Sequence, residues 1–255
     1  MKILQDKVAI VTGGSSGIGQ ATAFAFAQQG AKVVIANRRE NLGQKTVALI
    51  EDAGGEAIFH KTDVSSIEDI QALVRTTVDT FGKLDIAFNN AGMGVPPQRI
   101  AEQDEADFER AFDVNVKGVY LGMKYQIKEM LEQGSGVIVN NISTNGFRNS
   151  IPGLSLYTAT KHALVGLTKA VAMEYADSGI RINGIAPGLT KTDMTAGSDE
   201  LLEQLSSVAP MNRMGNPEEI ANGVVWLCSD AASFVTGHTL VMDGGFMIRG
   251  VELEV

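Results

Sequence analysis

Cysteine, histidine and basic residues are all scarce in this chain of 255 residues, and no long apolar run interrupts it. The single cysteine, Cys228, cannot close an internal disulfide. Set in the apolar run Val224 to Cys228, it reads as a core thiol and suits a reducing compartment. His60, His162 and His238 stand without the Cys-rich or E-x-x-H neighbours of a metal site, so no metal is expected. Lys and Arg number 21 against 30 Asp and Glu, a net charge of −9 that lacks the basic footprint of a nucleic-acid binder. No segment reaches the ~18 apolar residues of a membrane span. Met1 to Lys7 leads into too short an apolar run for a signal peptide. The expectation is a cytoplasmic protein with neither nucleic acid nor membrane as partner.

What is present is an ordinary globular composition, 44% hydrophobic and 20% charged, long enough for one large domain over residues 1–255. Seven short runs rich in Val, Ile and Ala read as strands: Lys7 to Thr12, Lys32 to Asn37, Glu56 to Lys61, Leu84 to Asn89, Gly136 to Ile142, Ile180 to Ala186 and Thr239 to Met242. Four of them are almost continuously apolar, the pattern of strands covered on both faces. Segments of helical period alternate with them: Gly17 to Gln29, Glu40 to Ala53, Ser66 to Phe81, Asp104 to Leu131, Leu156 to Tyr175 and Pro217 to Ser229. The fold class is therefore α/β, a doubly wound Rossmann fold with a seven-stranded parallel sheet and helices on both faces. The acidic stretch Glu102 to Glu109 opens a helix, where carboxylates offset the dipole. Thr190 to Pro210 is polar and small and lies where a ligand lid would.

Directly after the first strand, Thr12-Gly13-Gly14-Ser15-Ser16-Gly17-Ile18-Gly19 runs into a helix. Glycines at 13, 17 and 19 permit a tight turn and close approach of a pyrophosphate to the helix N-terminus, which makes this a dinucleotide site. The spacing G-x-x-x-G-x-G differs from the commonest Rossmann fingerprint. At the end of the second strand, Asn37-Arg38-Arg39 stands where an NAD site places a carboxylate. With no carboxylate to repel a 2′-phosphate and a guanidinium to grip it, NADP is favoured. NAD remains the runner-up, because Asn37 would still accept a ribose and the two arginines could simply begin a solvated helix.

Tyr157-Thr158-Ala159-Thr160-Lys161 places a phenol and an ammonium four residues apart on one helix face. An ammonium nearby favours ionisation of a phenol, so Lys161 is expected to lower the pKa of Tyr157 and fit it for acid-base work near pH 7. Ser143 follows the fifth strand at the carboxyl edge and could hold a substrate oxygen beside Tyr157. Asn115, inside the long helix, must find hydrogen bonds for a buried amide; it could hold a water or serve packing and capping.

These residues, with Asp63-Val64, Asn89-Asn90-Ala91-Gly92, Pro187-Gly188 and Asn216-Pro217-Glu218-Glu219 in order, give a chain that resembles the short-chain dehydrogenase/reductases over nearly its whole length. The resemblance implies an NAD(P)-dependent alcohol dehydrogenase or carbonyl reductase, with a ketone or secondary alcohol as substrate. Its implied catalytic set is Asn115, Ser143, Tyr157 and Lys161. The implied cofactor contacts are Gly13, Ser15, Ser16, Gly17, Ile18, Gly19, Asn37, Arg38, Asp63, Val64, Asn90, Ala91, Gly92, Tyr157, Lys161, Pro187, Gly188, Thr190 and Thr192. Thr190 departs from the Ile or Val usual in the family. The Tyr-to-Lys spacing resembles the carbonyl-reducing branch rather than the enoyl reductases, whose pair lies further apart.

The resemblance also implies a homotetramer built on two helices, one with the small residues Ala159, Ala163, Gly166 and Ala170, the other with Gly118 and Gly122. Val95, Pro96, Phe147, Leu154, Met194, Leu201 and Leu202 are expected around a mostly apolar substrate pocket. Two other readings stand beside this one. One is a 3-oxoacyl-carrier reductase of the same family, whose acidic carrier would meet a protein of net charge −9. The other is a non-catalytic redox sensor, against which the joint presence of Ser143, Tyr157 and Lys161 counts.

Overall fold

The computed structural model describes residues 2–148, 152–197 and 199–249. Its strands are β1 (Val8–Thr12), β2 (Lys32–Asn37), β3 (Glu56–Lys61), β4 (Ile86–Asn89), β5 (Gly136–Asn141), β6 (Ile180–Pro187) and β7 (Thr239–Met242). All seven join one sheet in the order β3-β2-β1-β4-β5-β6-β7. Every pairing is parallel. The apolar runs follow from this arrangement, because alternate residues of one strand enter different cores. On β1, Ala9 and Val11 face one cluster and Ile10 the other; on β2, Val33 and Ile35 oppose Val34 and Ala36.

Helices α1 (Gly17–Gln28), α2 (Glu40–Asp52) and α8 (Pro217–Cys228) supply the first cluster. Helices α3 (Ile67–Phe81), α5 (Gly118–Gln133) and α6 (Ser155–Glu174) supply the second. Cys228 is buried in the first, and burial pushes its thiol up to about 12, which keeps it unreactive. Helix α8 begins with a reciprocal cap: Asn216 caps the first turn while the Glu219 carboxylate accepts from the Asn216 N–H at 2.8 Å. Among the described residues no helix is long and apolar enough to cross a membrane.

The structure departs from the sequence reading in two places. The single helix expected over Asp104 to Leu131 is α4 (Glu105–Phe112) and α5 joined by one wider π turn, Asp113–Lys117, in which the Gly118 N–H reaches the Asp113 carbonyl. Periodicity does not reveal such an insertion, because the apolar face resumes after it. Within the polar segment after β6 there is also a short helix, α7 (Asp199–Ser206).

Between α5, α6 and the sheet lies a ladder of buried amides. Asn89 Nδ2 donates to Gln126 Oε1 at 3.1 Å and to Asn140 Oδ1 at 3.0 Å, Gln126 Nε2 donates back to Asn89 Oδ1 at 2.8 Å, and Asn140 Nδ2 donates to Thr168 Oγ1 at 3.0 Å. Each is paired, so the ladder ties β4, β5 and both helices together instead of weakening the core. Replacing Asn140 by Ala leaves Asn89 and Thr168 short of a partner in a dry site. This should cost roughly 1–3 kcal/mol, read as a lowered Tm in thermal denaturation.

Candidate active site

Strands β1 and β4 are neighbours in the sheet but not in sequence, and their following loops diverge to opposite faces. The crevice opened there is the usual ligand position of such a sheet. It is a cleft of about 660 Å³, and all of the catalytic and cofactor-contact residues expected from the sequence except Asn115 line it.

On one side is the glycine loop. Gly13 and Gly17 have φ of +66° and +52°, and a Cβ on Gly19 would collide with the Gly13 carbonyl oxygen. Ser16, the N-cap of α1, makes no capping bond to the helix, which leaves first-turn N–H groups open toward the cleft. Its hydroxyl instead accepts from Arg39 at 3.2 Å. Arg39 was not singled out as a contact by the sequence reading; it lies in the cleft wall as fully as Arg38 does. Arg38 is 3.8 Å from the Asp63 carboxylate. Burial alone would raise Asp63, but hydrogen bonds from Ser65 and the charge of Arg38 outweigh it and hold the carboxyl below its usual value. Both polar atoms of the Asn37 side chain are buried without a hydrogen-bond partner. An open helix N-terminus, close-approach glycines and an orphaned amide fit a dinucleotide: the loop could hold a pyrophosphate and Asn37 a ribose hydroxyl.

Thr12, Asn90 and Asn141 knit the floor. The Thr12 hydroxyl accepts from the N–H groups of Asn90 and Ala91, both at 3.0 Å. Asn90 Nδ2 donates to the Thr12 carbonyl at 3.0 Å, and Asn141 Nδ2 donates to Asn90 Oδ1 at 2.8 Å. From the other side Lys161 Nζ donates to the Asn141 carbonyl at 2.9 Å. Thr12 and Asn141 carry no recognisable sequence signal for this role; only the strand register shows it.

Ser143 and Tyr157 stand together in the cleft, near enough for the serine hydroxyl to act on the phenol. The Asn145 N–H donates to Ser143 Oγ at 3.1 Å, so the serine oxygen is held from behind. Lys161 Nζ lies 5.5 Å from the centre of the Tyr157 ring. The expectation that Lys161 brings the phenol down is not met here: burial pushes Tyr157 up, with the Ser143 hydrogen bond only partly opposing it. Lys161 is itself pushed down to about 8 by burial. The ammonium is spent on desolvation and on the Asn141 carbonyl.

Of the roles left open for Asn115, the structure shows the packing one. Its Oδ1 accepts from the Met93 N–H at 2.8 Å, and its Nδ2 donates to the Met93 carbonyl at 3.0 Å and to Thr160 Oγ1 at 3.2 Å. Both side-chain donors are taken by protein, so the side chain clamps the loop after β4 from within the π turn.

Over the cleft, the Thr192 side chain lies against Gly17 and Met194 reaches toward Gly94, so the segment after β6 spans both loops. Thr190 is buried, donates to the Gly188 carbonyl at 3.1 Å and bridges to Gly215, which shows how a polar residue is accommodated there. Val95, Leu154 and Met194 line the cleft as expected. Pro96, Phe147 and Leu202 do not; Phe147 is 38% exposed on the surface. Pro97, Val208 and Phe246 take those places, and the Leu201 side chain lies outside what the structure describes. The helix glycines divide likewise: Gly118 faces Val64 and Gly122 faces Asn89 within the same chain, whereas Gly166 on α6 meets open space. Among the described residues no group of three or more His, Cys, Asp or Glu side chains is placed to hold a metal.

A family model described as enoyl-(acyl carrier protein) reductase matches residues 13–247. Cyclohexanol dehydrogenase of an Acinetobacter species is 43% identical, covering 94% of this chain and 95% of that relative. The 2,5-dichloro-2,5-cyclohexadiene-1,4-diol dehydrogenase of Sphingobium indicum is also 43% identical, over 96% of this chain and 99% of its own. Among solved structures, a 3-ketoacyl-(acyl-carrier-protein) reductase from Brucella melitensis complexed with NADH superposes with a TM-score of 0.91 at 37% identity, covering 96% of this chain and 99% of the other.

The depressed Lys161 has a measurable consequence. An amine that titrates near 8 when folded and at its ordinary 10.5 when unfolded binds fewer protons in the folded state between those values, so stability rises with pH across that window. Below pH 8 the buried ammonium is a net cost. Lys161→Met should therefore raise Tm at pH 7 and flatten the rise between pH 8 and 10.5, checked by melting both proteins across that range.

Proposed function

The chain belongs to the short-chain dehydrogenase/reductase family and is a nicotinamide-dependent oxidoreductase of alcohols and ketones, and we propose that its substrate is an uncharged cyclic secondary alcohol or its ketone and its preferred cofactor NADP(H). The observation that carries this reading is the placing of Ser143 and Tyr157 together, with Lys161 buried beside the phenol ring, in the same cleft as the glycine loop.

A bound nicotinamide supplies or accepts the hydride at the substrate carbon. The oxygen and its proton fall to the chain's own groups. Tyr157, whose pKa burial pushes above its ordinary value, gives its proton to the carbonyl oxygen in reduction and takes it back in oxidation. Ser143, already held by the Asn145 N–H, donates to the same oxygen and fixes its position. Lys161 uses one of its three donors on Asn141 and keeps positive charge near the phenolate as it forms. Asn115 acts at one remove, by holding Met93 and with it the loop beside the reacting end.

Met93, Val95, Leu154, Met194, Val208 and Phe246 give the reacting end apolar walls, which suits an alicyclic ring. The cyclohexanol and cyclohexadiene-diol dehydrogenases to which the chain is similar support the same ring size. A 3-oxoacyl group on an acidic carrier is disfavoured by the net charge of −9. For the cofactor, Arg39 over Ser16 and Arg38 at the cleft mouth favour a 2′-phosphate, with no carboxylate at position 37 to repel it. The unpartnered Asn37 amide is the observation that favours NAD as the second reading.

A panel of cyclic ketones, with NADPH and NADH and an acyl-carrier substrate as comparator, tests both halves. Turnover should be found with the cyclic ketones, and kcat/KM should favour NADPH by about tenfold or more, a margin that Arg39→Ala narrows. Tyr157→Phe should lose about three orders of magnitude in kcat while NADPH fluorescence titration still shows binding. Near wild-type turnover in that variant would overturn the assignment of Tyr157. The small and exposed face of α6, with Ala159, Gly166 and Ala170, supports assembly as a homotetramer, for which light scattering should return the mass of four chains.

A further inference from the structure

Asn145 lies on the single 3₁₀ turn Thr144–Gly146, immediately after Ser143. The residue is only 9% exposed and lines the cleft together with Ser143 and Tyr157. Its backbone N–H is used on Ser143 Oγ, but its side-chain amide makes no hydrogen bond to any described residue. The other largely buried amides of the core behave differently. Asn89, Asn140 and Gln126 pair with one another, Asn115 clamps Met93, and Asn183 donates to the Val235 carbonyl at 2.8 Å while accepting from the His238 N–H at 3.1 Å. The Asn145 amide is not among the polar atoms sealed inside the chain without a partner; it opens onto the cleft, where a ligand that displaces water must complete its bonds or leave it unsatisfied.

The turn is also rigid. The Gly146 N–H donates to the Ser143 carbonyl at 2.9 Å, and a Cβ on Gly146 would lie 3.0 Å from the Lys161 carbonyl oxygen, so the backbone is pressed against α6. Asn145 is therefore held at a fixed offset from Ser143 Oγ. Around it the cleft walls named above are apolar and offer a second polar group on the substrate little else to bind.

We propose that Asn145 is a specificity residue whose amide binds a second oxygen of the substrate, a hydroxyl or carbonyl elsewhere on the ring, while Ser143 and Tyr157 hold the reacting oxygen. An amide presents both a donor and an acceptor, so a hydroxyl satisfies it in either direction and a carbonyl takes its N–H. A substrate with one oxygen covers the amide without pairing it, and so loses the bonds that water made there. Sites built around a hydrogen bond of this kind discriminate strongly against the analogue that lacks it. The inference rests on the oxidoreductase reading and deepens it, from cyclic alcohols in general to diols, hydroxyketones and diones.

The test is the ratio of kcat/KM for cyclohexanediols to that for cyclohexanol, with NADP⁺ or NAD⁺, in the wild type and in Asn145→Leu. The wild type should favour at least one diol isomer by about tenfold or more, and the variant should bring that ratio close to one. A general loss of positioning lowers both rates and leaves the ratio alone, so the ratio separates recognition from a merely structural role. Asn145→Ala, which removes the amide without adding an apolar branch, gives the same comparison if Asn145→Leu does not fold. A ratio near one for every isomer in the wild type, or an unchanged ratio in the folded variant, overturns the inference and leaves the oxidoreductase reading intact. Absence of nicotinamide-linked turnover with any cyclic alcohol or ketone overturns the cyclic-substrate reading on which the inference stands.

Discussion

A parallel sheet ends, at its carboxyl edge, in backbone groups that the ladder no longer pairs, and the architecture of this site follows from how the chain satisfies them. At the end of β1 the Thr12 hydroxyl takes the N–H groups of Asn90 and Ala91; at the end of β5 Asn141 bonds Asn90 and offers its carbonyl to Lys161. The glycine loop, the Asn90–Gly92 turn and the ammonium thus hang on one chain of hydrogen bonds. Short polar side chains stand where an apolar core would otherwise end in unmet donors and acceptors. The cofactor cleft and the reacting end are held in register by the same groups that finish the sheet.

That coupling comes at the expense of stability. Burial works against the ionised forms of both Tyr157 and Lys161, raising one and lowering the other, and neither has a carboxylate partner to offset it. The pair is consequently set with the phenol neutral and the amine still charged at pH 7, the combination from which a proton can be given to an oxygen. Removing water from the reacting end is what makes these groups costly and also what makes their fields strong. The amide ladder beneath them, fully paired across β4, β5, α5 and α6, supplies the rigid bed on which such a strained arrangement can sit.

The sheet was legible in the sequence because strands buried on both faces leave apolar runs that few other structures leave: Val8–Thr12 and Lys32–Asn37 are recognisable at a glance. The glycine loop was legible because Gly13, Gly17 and Gly19 do something only glycine does there. The π turn at Asp113–Lys117 was not, since a one-residue insertion keeps the surrounding helical period, and with it went the partner by which Asn115 packs, the backbone of Met93. Helix α7 hid in a segment whose composition is polar. Arg39 was hidden beside Arg38, because neighbours on a helix start diverge by an angle that sequence does not give. Phe246 was out of reach for another reason: it lies more than a hundred residues beyond Ser143, and only the fold brings the two into one cleft.

The motifs also differ in what they report. Asn216-Pro217-Glu218-Glu219 proves to be a helix start, whose Glu219 is held at about 2 by two bonds from Arg213 and one from the Asn216 N–H; it secures α8 and touches nothing in the cleft. Asn89 likewise serves the core, while its neighbour Asn90 serves the loop. Family patterns of this kind mix residues that do chemistry with residues that keep the scaffold from drifting. The distinction appears only when each polar atom is followed to its partner. Followed that way, the amides that find partners inside the chain explain the fold. Asn37, buried without a partner, and Asn145, whose amide opens on the cleft with none among the described residues, are the ones left for a cofactor and a substrate to complete.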